Sequence, residues 1–254
     1  MKLGIRLESL GLPFRPALTA ASKLGVSGLQ LDAVGDLAPA QLSETGRKEL
    51  RHLLRSHALE LTALYCPLRH SLDHPVSLQS RIDRLKNALK LSVDLGARKI
   101  IIDAGRMPTA ADDPRAGTMR EALIALGTHA DRIGAVLALD TGLDSGETLG
   151  TYLGTFDIGA LGVNYDPANM LMHGFDPVTN LAPLKQWIVH THAHDIRQSS
   201  GGADDVPIGH GEIEWMSYLG TLAAQDYASW IVVETSEPNA AMVEQGVRFL
   251  GRLV

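Results

Sequence analysis

The sequence predicts a single (β/α)8 TIM barrel spanning residues 1–254. Short β-branched apolar runs alternate with longer helical patterns from one end of the chain to the other, eight pairs can be counted, and no linker interrupts them. A closed barrel of this kind needs about 250 residues. The expected strands are residues 2–7 (KLGIRL), 28–33 (GLQLDA), 59–66 (LELTALYC), 99–105 (KIIIDAG), 136–142 (VLALDTG), 161–166 (LGVNYD), 188–195 (IVHTHAHD) and 230–236 (WIVVETS). Helices of ordinary length are expected between them.

The boundaries carry their own signals. Pro13 precedes the first helix, and the turns LGVSGLQ and LGARKI place Gly25 and Gly96 where a helix ends in the left-handed conformation. Ser43 is an expected N-cap with Glu44 in the first turn, and Leu50, Leu53 and Leu54 follow at helical spacing. Asp113 and Pro114 mark another helix start. After the eighth strand, Glu237 is expected to cap a closing amphipathic helix that buries Met242, Val247, Leu250 and Val254.

Composition narrows the function. Apolar residues make up 45% and charged residues 20%, enough for a large core. A formal charge of -6 gives no electrostatic reason to expect nucleic acid or an anionic membrane, so a small-molecule ligand fits better. The single cysteine, Cys66, excludes an internal disulfide, and a reducing cytoplasm is the expected setting. The N-terminus reads as the first strand, and no run approaches the roughly 20 apolar residues of a membrane helix. Self-association into a homo-oligomer is compatible with this composition. The first βα junction, RLESLGLPF, lacks GxGxxG, and no P-loop motif occurs.

In a parallel barrel the C-terminal strand ends form the active face. Asp166, His192 and Glu234 end three successive apolar runs there. Carboxylate, imidazole and carboxylate converging from different strands would make a mixed O/N site for a divalent cation, with room for substrate oxygens. Asp32, Arg69, His70, Asp103, Arg106, Asp140, Asn169, His194, Asp195 and Arg197 fall at the same face. Each also has an ordinary reading, since polar groups at strand ends commonly bond loops or solvent.

Asp166 taken alone is an Asp-Pro turn. His190, His192 and His194 share one side of a continuous strand, with His190 deepest and best read as a satisfied strand histidine. A carboxylate directly after Ile231, Val232 and Val233 is costly unless paired, solvated or metal-bound, which favours metal for Glu234. His210 lies between glycines that permit close approach to a substrate. Arg197 and Arg69 are candidate contacts for a phosphate or hydroxyls, with solvated loop arginines the equal alternative, and His70 is a further candidate substrate contact.

The chain resembles the xylose-isomerase-like TIM barrels, the sugar phosphate isomerases and epimerases whose family also includes endonuclease IV. The likeness spans essentially the whole chain and rests on LALDTG where the family usually shows LALETG, then YDPAN, HTHAHD for HxHxKD, PIGHGEIEW for PxGxGxxxW, and VVET. It implies a metal held by Asp140, Asp166, His192 and Glu234; Asn169, His194, Arg197, His210, Arg69 and His70 are the candidate substrate contacts. Asp140 departs from the family's Glu. One methylene shorter, its carboxylate is expected to fall about an Å short of the ion unless the backbone shifts or a water intervenes.

The resemblance further implies a metal-dependent isomerase or epimerase of a sugar-like hydroxycarbonyl compound. Adjacent substrate oxygens would chelate the ion, an enediolate would be stabilised, and Asp140 and Glu234 would move the proton. Mn²⁺ suits this donor set best, ahead of Mg²⁺, Co²⁺ or Zn²⁺. A lyase or dehydratase on a keto-inositol or keto-glycoside is the nearest alternative. A carbohydrate-binding barrel with a weakened metal site is an alternative of another class. An endonuclease IV-like activity ranks low, because it needs more histidine ligands and a cationic track that this acidic chain lacks.

Overall fold

A computed structural model describes residues 1–110 and 112–254. The apolar runs form strands β1 (Lys2–Arg6), β2 (Gly28–Asp32), β3 (Glu60–Tyr65), β4 (Lys99–Ile102), β5 (Val136–Asp140), β6 (Leu161–Tyr165) and β7 (Ile188–Ala193). A short hairpin follows, β8 (Ile196–Ser199) and β9 (Gly202–Asp205), before the last barrel strand, β10 (Trp230–Val233). Eight of these close into a parallel barrel in the order β1-β10-β7-β6-β5-β4-β3-β2, while β8 and β9 form a separate antiparallel pair. Closure is made by β1 against β10, with Lys2 opposite Trp230 and Ile5 opposite Val233.

The strands are shorter than the apolar runs implied. The first, second and sixth expected strands each lose one residue and the others two or three; apart from Leu59 before β3, the lost residues are those at the mouth, where the chain leaves the ladder. Asp166 caps a helix instead of ending β6, His194 and Asp195 lie past β7, and Glu234 lies past β10. The β8–β9 hairpin was not expected. Its polar, glycine-containing sequence carries no apolar alternation.

Around the barrel run α1 (Phe14–Lys23), α2 (Glu44–Ser56), α3 (Leu78–Leu95), α4 (Ala116–Ile133), α5 (Gly146–Leu153), α6 (Pro167–Met172), α7 (Trp215–Ala224) and α8 (Ala240–Leu250). Ser43 caps α2 by accepting from the Gly46 amide, and Gly96 ends α3 at φ 95, where a Cβ would be strained. Three helical expectations need correction. Between β6 and β7 the helix is only six residues long and a 3-10 turn, Thr179–Leu184, covers the rest, because Gly174 and Pro177 stop α6 and Pro183 sits inside the turn. The cap of α8 is Asn239, which accepts from the Met242 amide, and not Glu237. Val243 rather than Val254 is buried on that helix; Val254 is 39% exposed at its frayed end.

The main apolar core lies between barrel and helices and takes the outward strand residues, among them Leu64, Ile100, Ile102, Leu137 and Leu139. Ala63, Ile101 and Ala138, one position along on the same strands, form a separate small cluster with Tyr65 and Val189 packed on it. Strand alternation assigns that cluster to the barrel interior. Above it the interior turns polar: Gln30, Thr62, Asn164, His190 and His192 are all buried. Among the described residues no helix is long and apolar enough to cross a membrane.

Candidate metal centre

The polar column is built from the bottom by hydrogen bonds. Thr62 Oγ1 lies 3.2 Å from His190 Nε2, and His190 Nδ1 lies 2.7 Å from Asn164 Oδ1. With its oxygen taken by His190, Asn164 turns its amide nitrogen toward the mouth, where it donates to Asp140 Oδ1 at 2.6 Å and stands 3.0 Å from His192 Nδ1. His190 is thus the satisfied strand histidine expected from its depth, and burial pushes its pKa well below the ordinary value.

His192 is oriented from both sides. Its Nε2 lies 3.0 Å from the Gln30 side-chain oxygen, which accepts the Nε2–H hydrogen bond, and its Nδ1 faces Glu234 Oε1 at 3.1 Å and Asp166 Oδ2 at 3.4 Å. Burial opposes charge on this ring, but the Glu234 and Asp166 carboxylates overcome it and raise the pKa well above the ordinary value. Glu234 moves the other way. Burial alone would raise it, but His192, Arg6 and His194 hold its carboxyl below the usual range. Asp140 is raised, first by burial and then by the charges of Asp166 and Glu234, against the opposing effect of His192.

Asp166 is held by its own helix. Its Oδ1 accepts from the Ala168 and Asn169 amides, both at 2.9 Å, so the Asp-Pro turn and the site are the same feature. This fixes the second oxygen, Oδ2, toward His192. That atom is buried, and no described group donates a well-formed hydrogen bond to it. An unsatisfied buried carboxylate oxygen beside an imidazole nitrogen is the arrangement that a divalent cation would satisfy.

Four of the expected ligands therefore gather at the mouth. Carboxylate oxygens of Asp140 and Asp166 and a nitrogen of His192 lie within 4.8 Å of one another, as do atoms of Asp166, His194 and Glu234. Asp140 does reach the cluster despite its shorter side chain, held by Asn164 and, at 3.4 Å, by the Asn169 amide. His194, just past the end of β7, is buried; its Nε2 lies 2.7 Å from Asp205 Oδ1. Burial opposes its charge, but Asp205, Asp166 and Glu234 raise its pKa to about 9.

The remaining candidates stand apart from the cluster. Arg197, on the hairpin, is exposed and donates to the His210 carbonyl at 2.5 Å, so it supports the loop that carries exposed His210. Arg69 and His70 are exposed on the loop after β3, where His70 stacks on His74 with ring centroids 4.5 Å apart. Among the described residues no hydrogen bond or ion pair ties those two to the ligand cluster.

Several residues that shape the site were not singled out by sequence: Arg6, Gln30, Asn164 and Asp205. The available signal was a polar residue inside an otherwise apolar strand, as in KLGIR, GLQLD and LGVNY. Asp195 explains the PIGHGEIEW motif. One carboxylate accepts from the Gly209 and Gly211 amides at 2.8 and 3.1 Å and from the Trp215 indole at 2.9 Å, pinning the loop over the mouth.

A family model described as xylose isomerase-like TIM barrel matches residues 18–253. The chain belongs to this family. Within the curated proteins, the uncharacterized protein YfiH of Bacillus subtilis (strain 168) is 26% identical, over 78% of this chain and 74% of its own. Two solved structures are similar throughout. A D-tagatose 3-epimerase-like protein superposes with TM-score 0.81 at 17% identity, covering 99% of this chain and 96% of that one. The probable 3-DHS dehydratase AsbF of Bacillus anthracis gives TM-score 0.80 at 20% identity, covering 99% of each chain. At these identities the likeness is one of fold.

Proposed function

We propose that this protein is a divalent-metal-dependent isomerase or epimerase of a sugar or sugar-like hydroxycarbonyl compound. The observation that carries the reading is the buried, donorless Asp166 Oδ2 facing His192 Nδ1, with Glu234 Oε1 on the same nitrogen. The names of the similar folds, an epimerase-like protein and a probable dehydratase, support chemistry beside a carbonyl. Asp166, His192 and Glu234 would hold the ion, with Asp140 approaching from β5, and Mn²⁺ fits this mixed oxygen and nitrogen set. When bound there, such an ion supplies Lewis acidity toward a substrate carbonyl.

The proton work falls to this chain's carboxylates. Asp140 and Glu234 come from β5 and β10, which lie on either side of β6 and β7 in the barrel order. One carboxylate takes the proton from the carbon beside the carbonyl, and the C–H electron pair passes to the carbonyl oxygen. Return of a proton to the former carbonyl carbon, with the neighbouring hydroxyl passing its proton to the enolate oxygen, gives isomerisation; return to the original carbon from the opposite face gives epimerisation. The Asn164 and Asn169 side chains hold the Asp140 carboxylate in place at the mouth, and Arg6 holds Glu234.

The test is a screen of ketoses, keto-inositols and keto-glycosides with excess Mn²⁺ in D₂O, read by NMR. Deuterium is expected at a carbon beside the carbonyl of the accepted substrate, and incorporation should disappear in Glu234→Gln. Exchange that persists in both Glu234→Gln and Asp140→Asn would contradict the assignment.

A further inference from the structure

We propose that the half of the barrel mouth built by β1 to β4 selects an uncharged polyhydroxylated ketone, with Tyr65 and Asp103 bonding its hydroxyls, and rejects phosphate esters. This names the substrate class for the metal-dependent reading above and rests on it. The expected metal ligands come from β5, β6, β7 and β10, which are consecutive in the barrel, so the other four strands form the facing half of the mouth. A hydroxycarbonyl compound held by its reacting end at the ligand cluster extends toward that half.

Strand alternation fixes what it meets there. Gln30, Ala63 and Ile101 point into the barrel, and two positions further along the chain come Asp32, Tyr65 and Asp103. Arg6 reaches the same layer from β1. It bonds Asp32 and Glu234, and its Cζ lies 4.9 Å from the centre of the Tyr65 ring. The Tyr65 phenol also feels the carboxylates around it: burial first, then the charge of Asp140, followed by Glu234 and Asp103, raises its pKa against the effect of Arg6.

Charge and hydrogen-bonding capacity then decide the ligand. The positive charge of Arg6 is already offset by two carboxylates, Asp32 and Glu234. Asp103 Oδ1 accepts the Gly105 amide at 3.0 Å, and among the described residues neither its Oδ2 nor the Tyr65 hydroxyl has a hydrogen-bond partner. A carboxylate that accepts and a phenol that donates or accepts match sugar hydroxyls, each of which does both. A phosphate would instead face Asp32 and Asp103 without the unpaired guanidinium that recognises it, and like charges brought together there disfavour it. Arg69 and Arg106 are exposed on the loops after β3 and β4, and Arg197 is committed to the His210 carbonyl.

The experiment measures binding of ketopentoses, ketohexoses and their terminal phosphate esters to the Mn²⁺-loaded protein by equilibrium dialysis, with inorganic phosphate reporting contact with the ion alone. At least one ketose is expected to bind about tenfold or more tightly than its ester. Asp103→Lys should tighten ester binding about tenfold and change ketose binding by no more than about threefold. Tyr65→Phe should weaken ketose binding by about threefold to tenfold and leave Mn²⁺ affinity unchanged. Thermal unfolding checks that each variant is folded; Asp103 is exposed, so its variant decides should Tyr65→Phe fail to fold. An ester that binds as tightly as its ketose, ester binding unmoved by Asp103→Lys, ketose binding unmoved by Tyr65→Phe, or no ketose binding at all would overturn the assignment while leaving a metal centre. A protein that binds no Mn²⁺ would overturn the metal-dependent reading, and the order of ketose and ester on the metal-free protein would still decide this one.

Discussion

Arg6 Nη1 stands 3.4 Å from Glu234 Oε2, so a charge pair joins the first and last barrel strands beside their backbone ladder. The same guanidinium grips Asp32 with two bonds of 2.7 and 3.0 Å and lies over the Tyr65 ring. It thereby leaves Glu234 Oε1 free to face His192. Removing the cation strands two largely buried carboxylates. Arg6→Ala is expected to cost about 3 kcal/mol, measured by urea denaturation. Arg6→Lys should recover only part of this, because an ammonium cannot reproduce the two-pronged grip on Asp32. A loss in Arg6→Ala below roughly 0.5 kcal/mol would contradict the arrangement.

Glu8 supplies a pH dependence that is independent of the metal centre. Its Oε1 accepts the Asp32 amide at 2.9 Å, and its buried Oε2 has no partner among the described residues. Burial, followed by the charge of Asp32, pushes its carboxyl up to about 7 from the ordinary 4.5. The folded protein therefore holds a proton that the unfolded chain releases earlier, and stability falls as pH rises from the ordinary Glu value toward neutrality. Glu8→Gln, which keeps the acceptor and removes the charge, should be about 1–3 kcal/mol more stable than the parent at pH 8 and nearly equal to it at pH 4. Denaturation midpoints at the two pH values check this; equal shifts at both would refute it.

The loop over the mouth depends on a close approach. A Cβ on Gly211 would run into the Asp195 carboxylate and the Ile196 carbonyl, both fixed by the backbone of the same turn. Gly211→Ala is expected to destabilise by about 3 kcal/mol or more, and Asp195→Ala, which strips several amides and the Trp215 indole of their acceptor, by a similar amount. Faster hydrogen exchange confined at first to residues 206–215 is the expected signature. Protection unchanged there would show that Asp195 does not anchor the loop.

Gln30 acts on the ring of His192. The side-chain oxygen at 3.0 Å selects the tautomer with the proton on Nε2 and leaves Nδ1 as the ligand atom. Gln30→Leu should retain the fold and weaken Mn²⁺ binding by about tenfold to a hundredfold, read by calorimetry. Unaltered affinity would mean that the ring is oriented by other contacts.

The sequence was most legible where periodicity is strong. Short apolar runs separated by helical patterns located every barrel strand, and Ser43, Gly25 and Gly96 marked helix ends through local chemistry that needs no tertiary partner. Asp166, His192 and Glu234 were legible because each ends an apolar run inside a motif shared with a known family. Gln30, Asn164 and Arg6 were not. Each is a single polar residue in an apolar strand, and its meaning comes from partners 24 to 228 positions away. The β8–β9 hairpin escaped because short polar strands carry no apolar alternation, and Asp205 escaped with it.

Diffraction from crystals soaked in Mn²⁺, with anomalous data collected near the manganese absorption edge, tests the central claim most directly. The account predicts one strong peak at the barrel mouth, at about 2.1–2.3 Å from Asp166, His192 and Glu234. Peaks confined to surface carboxylates, with Asp166 Oδ2 still facing an empty mouth, would contradict it.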